Sequence, residues 1–537
     1  MAVLTEAKKQ KHYHKNSAYR RARILTQGFF LILWFGLFFL SNRYTPTDWS
    51  SAFLLFDPLV QFVTISLTGV VVYGLVLPSL LIVLTLFTGR TFCGWICPMG
   101  TIIDLYEWIM PGVIRGEVHD KLPSFFRNRH HIKYYILLAT IVMALFGYQF
   151  LLFLDPLVLL NRSMTAFLYP ITTWVAPEIN AGITFTVYGA TATFAFFITI
   201  LALNHIHSRF WCRVLCPLGA FLAVISRFSL SGRSAEDCVQ CTKCDTQCPQ
   251  GAIDEGDANK FSKSECIMCM DCDVACPFDI NKLSWLNPMN LKWKPEEDIK
   301  LDLQRRHFLW TIGGATITIP FVHTHGKSAF SEKTKLRPPH SHADDDRFTS
   351  QCIRCWECIK VCPTNILQPD NTSFLDLKNL WTPVMAASAG ACMTECNACS
   401  EACPTDAIQK YDITQKYDVK VGTAHLIESK CIGYDGTECN DCVVACPTDA
   451  IPTTTIVTNE GKSVHVPKTV SYDKCIGCGW CEHVCIDRVP GTPAIIVSAE
   501  GRGEIAAVAT KNKPKGTEPS RTQKDYLPRW RPESGET

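Results

Sequence analysis

Cysteine is the residue type that organises this chain. After residue 230, twenty-four of the 28 cysteines fall into six groups of four. Three groups share one spacing, Cys-x2-Cys-x2-Cys-x3-Cys-Pro: Cys238, Cys241, Cys244, Cys248, then Cys266, Cys269, Cys272, Cys276, and Cys352, Cys355, Cys358, Cys362. Cys392, Cys396, Cys399, Cys403 lengthens the first gap by one residue, and Cys431, Cys439, Cys442, Cys446 lengthens it further. Cys475, Cys478, Cys481, Cys485 keeps the spacing but has Ile486 where the others have proline. Such a run wraps a [4Fe–4S] cube, with the fourth cysteine usually ligating the neighbouring cube. The motifs therefore work in pairs, and six of them imply six cubes that move electrons. Structural zinc calls for neither the third cysteine two residues on nor the Cys-Pro. Disulfide scaffolds are short chains, which this one is not.

The remaining four cysteines form two matched pairs, Cys93-Gly-Trp-Ile-Cys97-Pro98 and Cys212-Arg-Val-Leu-Cys216-Pro217. Two thiolates from each pair could meet in one further cluster or metal site. Two redox-active dithiols, or inert buried thiols, are the other readings that this spacing leaves open.

The elements that must position these pairs are apolar. Four stretches, Ile24–Ser41, Thr68–Thr88, Ile132–Leu154 and Ile183–Leu203, each approach the ~20 residues that cross a bilayer. The segment between 1 and 23 carries seven Lys/Arg against one Glu, which places the N-terminus in the cytoplasm. Basic residues in the second link (Arg115, Lys121, Arg127, Arg129) and after the fourth stretch (Arg209, Arg213, Arg227) agree. The first half repeats in the second: span, Asp-Pro-Leu turn, span, Cys-x3-Cys-Pro. The turns hold Asp57 and Asp155. Asp is a good helix cap ahead of Pro. An acid at membrane depth is equally a functional candidate, and these two are the proton acceptors that a quinol site would need. His130, His131, His205 and His207 are cytoplasmic-side alternatives.

Charge excludes one class of partner. Lys+Arg is 52 against Asp+Glu 50, a balance unlike that of nucleic-acid binders. Gln304-Arg305-Arg306-His-Phe308-Leu309 before the apolar run Thr311–Val322 reads as a twin-arginine export signal, with an ordinary basic helix end as the alternative. Residues 323–347, with two His-x-His steps, read as a linker. The tail after about residue 510 lacks core-forming residues.

With these motifs assembled, residues 1–300 resemble NapH-type membrane quinol dehydrogenase subunits, relatives of NosR and of FixG/CcoG proteins. Residues 305–500 resemble the NapG/MauM family of exported four-cluster ferredoxins, in Arg305-Arg306, the wide Cys431–Cys439 gap and the ending Cys475-Ile-Gly-Cys478-Gly-Trp-Cys481-Glu-His-Val-Cys485. The expected fold is an α-helical membrane bundle, four spans with an internal repeat and a fifth candidate, joined to α+β bacterial-ferredoxin-like domains. The expected domains are membrane (1–230), cytoplasmic two-cluster ferredoxin (231–300), signal anchor and linker (301–347), periplasmic four-cluster ferredoxin (348–510) and polar tail (511–537). The resemblance implies a multi-pass protein of the bacterial cytoplasmic membrane and a respiratory complex. In it, menaquinol or ubiquinol would be oxidised and electrons delivered to a periplasmic reductase or c-type cytochrome. Two rival readings are a metal-centre assembly factor of FixG/CcoG type and a quinone reductase with every cluster cytoplasmic. No histidine lies inside the four apolar stretches, which argues against a transmembrane haem pair. Either the four-cysteine site bridges the bilayer, or quinol is oxidised near the periplasmic face.

Overall fold

A computed structural model describes residues 2–40, 52–68, 76–110, 131–175, 187, 189–234, 238–254, 257–278, 282–284, 305–325, 335–371, 378–416, 418–457, 461, 463–489 and 493–504. They form two compact units. One gathers Met1–Leu40, Ala52–Leu160 and Ala195–Ile319, and the other includes Asn161–Phe194 and Pro320–Thr537.

The first unit is built on helices. Ala18–Leu40, within the helix Ala2–Leu40, is the one helix among the described residues long and apolar enough to cross a membrane. The other three expected spans correspond to shorter apolar helices, Val76–Thr88, His131–Leu145 and Ala190–Ala202. Residues 69–75 and 183–186 of those spans, His130, and the basic link at 111–130 lie outside the described residues. Proline punctuates the unit. Pro58, Pro98, Pro156 and Pro217 each open a helix, where the missing N–H costs nothing and φ is preset. The Pro217–Ser226 helix packs against His131–Leu145 and Val76–Thr88. Leu25, Phe29, Ile32, Val76, Leu80, Phe87 and Leu145 are left exposed. The same unit carries a small α+β module. In it Gly232–Ser234 pairs antiparallel with Lys282–Ser284, outside an inner hairpin of Ile253–Asp254 and Asp257–Phe261.

The second unit repeats that nested plan. Thr423–Leu426 pairs with Ile495–Ser498 around the hairpin Thr453–Val457/Ser463–Pro467. Leu367–Pro369 pairs with Pro383–Met385, and Ser341 bridges Ile408. Two differences from the expected boundaries stand out. Residues 161–194 group with the C-terminal modules: Asn161 donates to the Cys355 carbonyl at 2.9 Å, and the Arg162 guanidinium lies 4.1 Å above the Trp381 ring. Residues 335–347, expected as linker, are folded in, because Arg337 is fully buried and forks onto Asp345 at 2.8 and 3.1 Å. Arg305-Arg306 open a 21-residue helix, Arg305–His325. The tail 511–537 lies outside the described residues.

Candidate metal centres

In the strict Cys-x2-Cys-x2-Cys runs, every second residue is left-handed. Gln240 and Thr242, Met268 and Met270, Arg354 and Trp356, and Gly477 and Gly479 all have φ between 51° and 85°. In three of these runs the left-handed residue two past the first cysteine turns its amide to that sulfur, Met268 to Cys266, Arg354 to Cys352 and Gly477 to Cys475, and only in the last run is glycine used to avoid the side-chain clash. After the fourth cysteine comes Pro-x and another left-handed residue, Gly251, Asn365, Asp406 or Asp449. These are residue types that tolerate the conformation. Cys485, followed by Ile486, lets its helix run on from Trp480 to Arg488.

The fourth cysteine crosses to the partner motif. Cys266, Cys269 and Cys272 line one pocket together with Cys248. Another is lined by Cys475, Cys478 and Cys481 with Cys446, and a third by Cys431, Cys439 and Cys442 with Cys485. Cys352, Cys355 and Cys358 interact with Cys403, and Cys396 and Cys399 with Cys392 and Cys362. Cys238 and Cys276 are half-buried and Cys241 is exposed. Backbone N–H groups of Ala252, Ala450 and Ala494 donate to Cys248, Cys446 and Cys485 Sγ at 3.2, 3.3 and 3.2 Å. Burial pushes the Cys442 thiol up to about 12, with Cys431 and Cys439 adding to the shift. Such thiols become thiolates only beside a cation. All-thiol donors drawn from two motifs and amides aimed at sulfur fit a [4Fe–4S] group. Among the described residues no three Cys, His, Asp or Glu side chains stand at the spacing of a single ion, and a four-iron cube holds its thiolates wider apart.

The second unit also orders its groups. Cys358 interacts with Cys399, the Cys392 N–H donates to the Cys478 carbonyl at 2.9 Å, and Cys481 interacts with Cys442. The sequence of groups is therefore Cys352, Cys392, Cys475, Cys431, which differs from chain order.

The two Cys-x3-Cys pairs meet in the first unit. Phe92–Ile96 and Trp211–Leu215 are matching π-helical turns, closed by Cys97 N–H to Phe92 O at 2.8 Å and Cys216 N–H to Trp211 O at 2.9 Å. Isolated π turns are frequent at functional sites. Cys97 and Cys216 then sit ahead of helices that begin at Pro98 and Pro217. Gly219 N–H donates to Cys216 Sγ at 3.1 Å, and the Met99 and Gly100 amides point at Cys97. Cys97 interacts with Cys93 and Cys212, and Cys216 with Cys212 and Cys93. Burial pushes Cys212 up to about 11, against the pull of Arg209. Three of the four are buried and Cys93 is half-buried.

This group leans directly on the ferredoxin module. A Cβ on Gly94 would lie 2.4 Å from the Ile267 carbonyl, so only glycine permits the approach. Trp95 Nε1 donates to the Met268 carbonyl at 3.0 Å. Glu265 accepts from Arg90 at 3.0 Å, from Tyr134 at 2.8 Å and from Lys133. Arg23 pairs with Asp271 at 3.1 Å, which puts the basic end of the first helix on the same side as the module. None of these docking residues stood out in the sequence. The Gly directly after Cys93 was the only signal that could have found them.

Asp57 and Asp155 are fully buried and face each other. Each caps its helix identically. Asp57 Oδ1 accepts from Leu59 and Val60 at 2.9 and 3.3 Å, and Asp155 Oδ1 from Leu157 and Val158 at the same distances. Each Oδ2 has no hydrogen-bond partner among the described residues. One oxygen of each carboxyl is thus a helix cap, and the other side of each carboxyl is turned to its counterpart across the pair. Asp155 is close enough to act electrostatically on Cys216. His205 Nε2 bonds the Tyr106 hydroxyl at 2.6 Å, His207 contacts Arg213, and the His131 ring meets Tyr135 edge-on.

A 4Fe-4S binding domain model matches residues 70–116 and 190–234, the two Cys-x3-Cys-Pro segments. A 4Fe-4S dicluster domain matches 351–408, and a further 4Fe-4S binding domain matches 266–280. The chain is similar to the ferredoxin-type protein NapG of Escherichia coli, 30% identical over 210 residues, covering 37% of this chain and 89% of that protein. It is also similar to the methylamine utilization ferredoxin-type protein MauM of Methylorubrum extorquens, 35% identical over 159 residues, 29% of this chain and 70% of that protein. MauM of Methylobacillus flagellatus is 37% identical over 156 residues, 28% and 64% respectively. No solved structure matches the chain.

Proposed function

The chain belongs to the NapG and MauM family of ferredoxin-type proteins, and on that premise we propose a membrane-bound quinol dehydrogenase that passes electrons through [4Fe–4S] clusters to a periplasmic reductase or c-type cytochrome. The observation that carries this reading is the presence, in one helical unit with exposed apolar side chains, of a buried carboxyl pair and a four-thiol group within electrostatic reach of it. Oxidation of a quinol to a quinone releases two protons and two electrons, and these are the groups that would receive them.

Each ferredoxin motif contributes its first three cysteines to one cube and its fourth to the partner's, Cys276 completing Cys238, Cys241 and Cys244. Six cubes follow, and Cys93, Cys97, Cys212 and Cys216 hold a seventh centre. When bound, the clusters supply one-electron transfer. The chain's own residues do the rest. The Asp57–Asp155 pair, carrying a single negative charge, takes the quinol protons one at a time, releasing the first before it accepts the second. Two carboxyls buried side by side resist carrying two negative charges, which favours protonation. Gly94 holds the four-thiol group against the Cys266 loop, and apolar walls keep water from the transfer.

Residues 1–230 are read as the membrane domain, with the N-terminus and the first ferredoxin module cytoplasmic. Residues 348–510 are read as periplasmic behind the Arg305-Arg306 signal. Exposed apolar side chains on the first unit support lipid contact. A reporter fused near residue 345 tests the topology: alkaline phosphatase activity is expected, and fluorescence of a cytoplasm-only reporter overturns it.

For the activity, menaquinol or ubiquinol added to the cluster-loaded chain should bleach cluster absorbance. Asp57→Asn and Asp155→Asn keep a capping oxygen and lose the proton acceptor. The bleaching rate should fall by about 10²-fold or more with the melting temperature little changed. A wild-type chain that no quinol reduces would point to the assembly-factor reading. Asn variants that bleach at the wild-type rate would leave the aspartates as caps only.

A further inference from the structure

Each Cys-x3-Cys pair is preceded, at three residues, by an arginine: Arg90-Thr-Phe-Cys93 and Arg209-Phe-Trp-Cys212. Both side chains are buried, at 0% and 1% exposure. They cross. Arg90, from the first half, reaches the turn of the second, where a Cβ on Gly219 would meet Arg90 Nη2 at 3.0 Å and Cys216 Sγ at 3.2 Å. Arg209, from the second half, donates through Nη1 to the Cys93 carbonyl at 3.1 Å and borders Gly100 of the first. Each is held from behind by one acid, Arg90 by Glu265 at 3.0 Å and Arg209 by Asp104 at 2.7 Å. The crossing explains why both turns read Cys-Pro-x-Gly, since any side chain there would press on the Cys93 carbonyl or the Arg90 guanidinium.

The two arginines are not equally occupied. Arg209 uses Nε, Nη1 and Nη2. Arg90 spends Nη1 on Glu265 and Ser264, while its Nε and Nη2 have no hydrogen-bond partner among the described residues. A fully buried guanidinium with idle N–H groups is expensive unless something accepts from it. The idle Nη2 points at the turn that carries Cys216, into the four-thiol group.

We propose that Arg90 and Arg209 are a crossed pair that sets the charge, and with it the reduction potential, of the centre held by Cys93, Cys97, Cys212 and Cys216, Arg90 also donating a hydrogen bond to that centre. Four thiolates carry four negative charges in a buried site. Net charge and hydrogen bonds to sulfur are the main levers on the potential of such a centre. Two arginines that cannot lose their protons, brought one from each half, make the centre easier to reduce by a quinol. This rests on the reading of the four thiols as a metal centre.

The test is an EPR-monitored redox titration of the full chain in detergent. The centre is identified as the signal present in wild type and missing from the Cys93→Ser/Cys216→Ser variant. In Arg90→Gln, and independently in Arg209→Gln, the reduced-to-oxidised ratio of that signal at a fixed potential should fall about tenfold, equivalent to ~59 mV for one electron. Arg90→Lys should restore most of the ratio and change the line shape, because charge returns without the fork of N–H groups. The six ferredoxin signals should stay in place in all variants, which a loss of fold would not allow. Gln and Lys variants that titrate like wild type overturn the proposal. A wild-type chain with no signal dependent on Cys93 and Cys216 overturns the metal-centre reading, and the proposal with it.

Discussion

The string Cys-Pro-x-Gly occurs in both kinds of site and does different work in each. At Cys248–Gly251 the glycine is a turn residue with φ +61°. The same position after Cys362, Cys403 and Cys446 is filled by Asn365, Asp406 and Asp449, all left-handed. At Cys97–Gly100 and Cys216–Gly219 the glycine instead lies inside a helix, and its missing side chain makes room for the Cys93 carbonyl that Arg209 bonds in the first case and for Arg90 of the other half in the second. In the strict ferredoxin motifs the first three thiols are therefore placed by local backbone geometry, and only the fourth comes from a partner motif. The four-thiol site is written in two segments over a hundred residues apart and exists only when both halves dock. A local site should tolerate damage elsewhere in the chain, whereas a shared one should fail as a whole.

Removing one thiol from each half is the strongest way to break the comparison. Cys93→Ser/Cys216→Ser should lower iron from about 28 to about 24 atoms per chain and abolish quinol-driven bleaching. Cys481→Ser should also lower iron by about four but leave the first unit's response to quinol intact. Iron and sulfide analysis with a bleaching assay decides this. A wild-type value near 24 would return the four cysteines to the dithiol reading.

Next in size is Gly100→Ala. Its Cβ would fall 2.9 Å from the Cys93 carbonyl, the atom that Arg209 also uses, so backbone must move. Overpacking of this kind costs about 1–3 kcal/mol, and the four-thiol centre should lose occupancy with it. Gly36, in the first long helix, has nothing within 4 Å of its Cβ position. Gly36→Ala should be neutral or stabilising by up to about 1 kcal/mol. Thermal unfolding of the two variants side by side measures the difference.

The contrast also explains what could be read in advance. Four of the six ferredoxin groups are legible from spacing alone, because three thiols within seven residues have few ways to be arranged, and the two widened groups from their endings. The duplicated Cys-x3-Cys pairs and Asp-Pro-Leu turns were visible as repeats. Which groups are neighbours was not: the Cys392–Cys478 backbone contact joins modules by docking, and docking leaves no periodic trace. Arg90 and Arg209 were hidden for another reason. An arginine beside an apolar stretch reads as a topology signal, and only its burial and its crossing to the opposite turn disclose a role at the site. Residues 161–194 were assigned by hydropathy to the membrane domain. Asn161 and Arg162, whose counterparts in the first repeat are Val63 and Thr64, turn that segment toward the Cys355 loop.

The finest test of the comparison sits at the fourth-cysteine turns. Asp449 is exposed and has φ +49°, so the backbone alone decides what can stand there. Alanine lacks the short polar side chain that makes the left-handed region bearable and should cost about 1 kcal/mol. Glycine relieves the clash but adds freedom to the unfolded chain, so Asp449→Gly should lie within about 0.5 kcal/mol of wild type. Gly251→Ala should cost more than either, because its Cβ would also meet the Arg213 guanidinium at 2.5 Å. Denaturant titrations of the three variants should rank Gly251→Ala, Asp449→Ala and Asp449→Gly in falling order. Equal values for the two Asp449 variants would mean that left-handedness is not what selects the residue, and the distinction between the two kinds of Cys-Pro-x-Gly would then rest on the arginines alone.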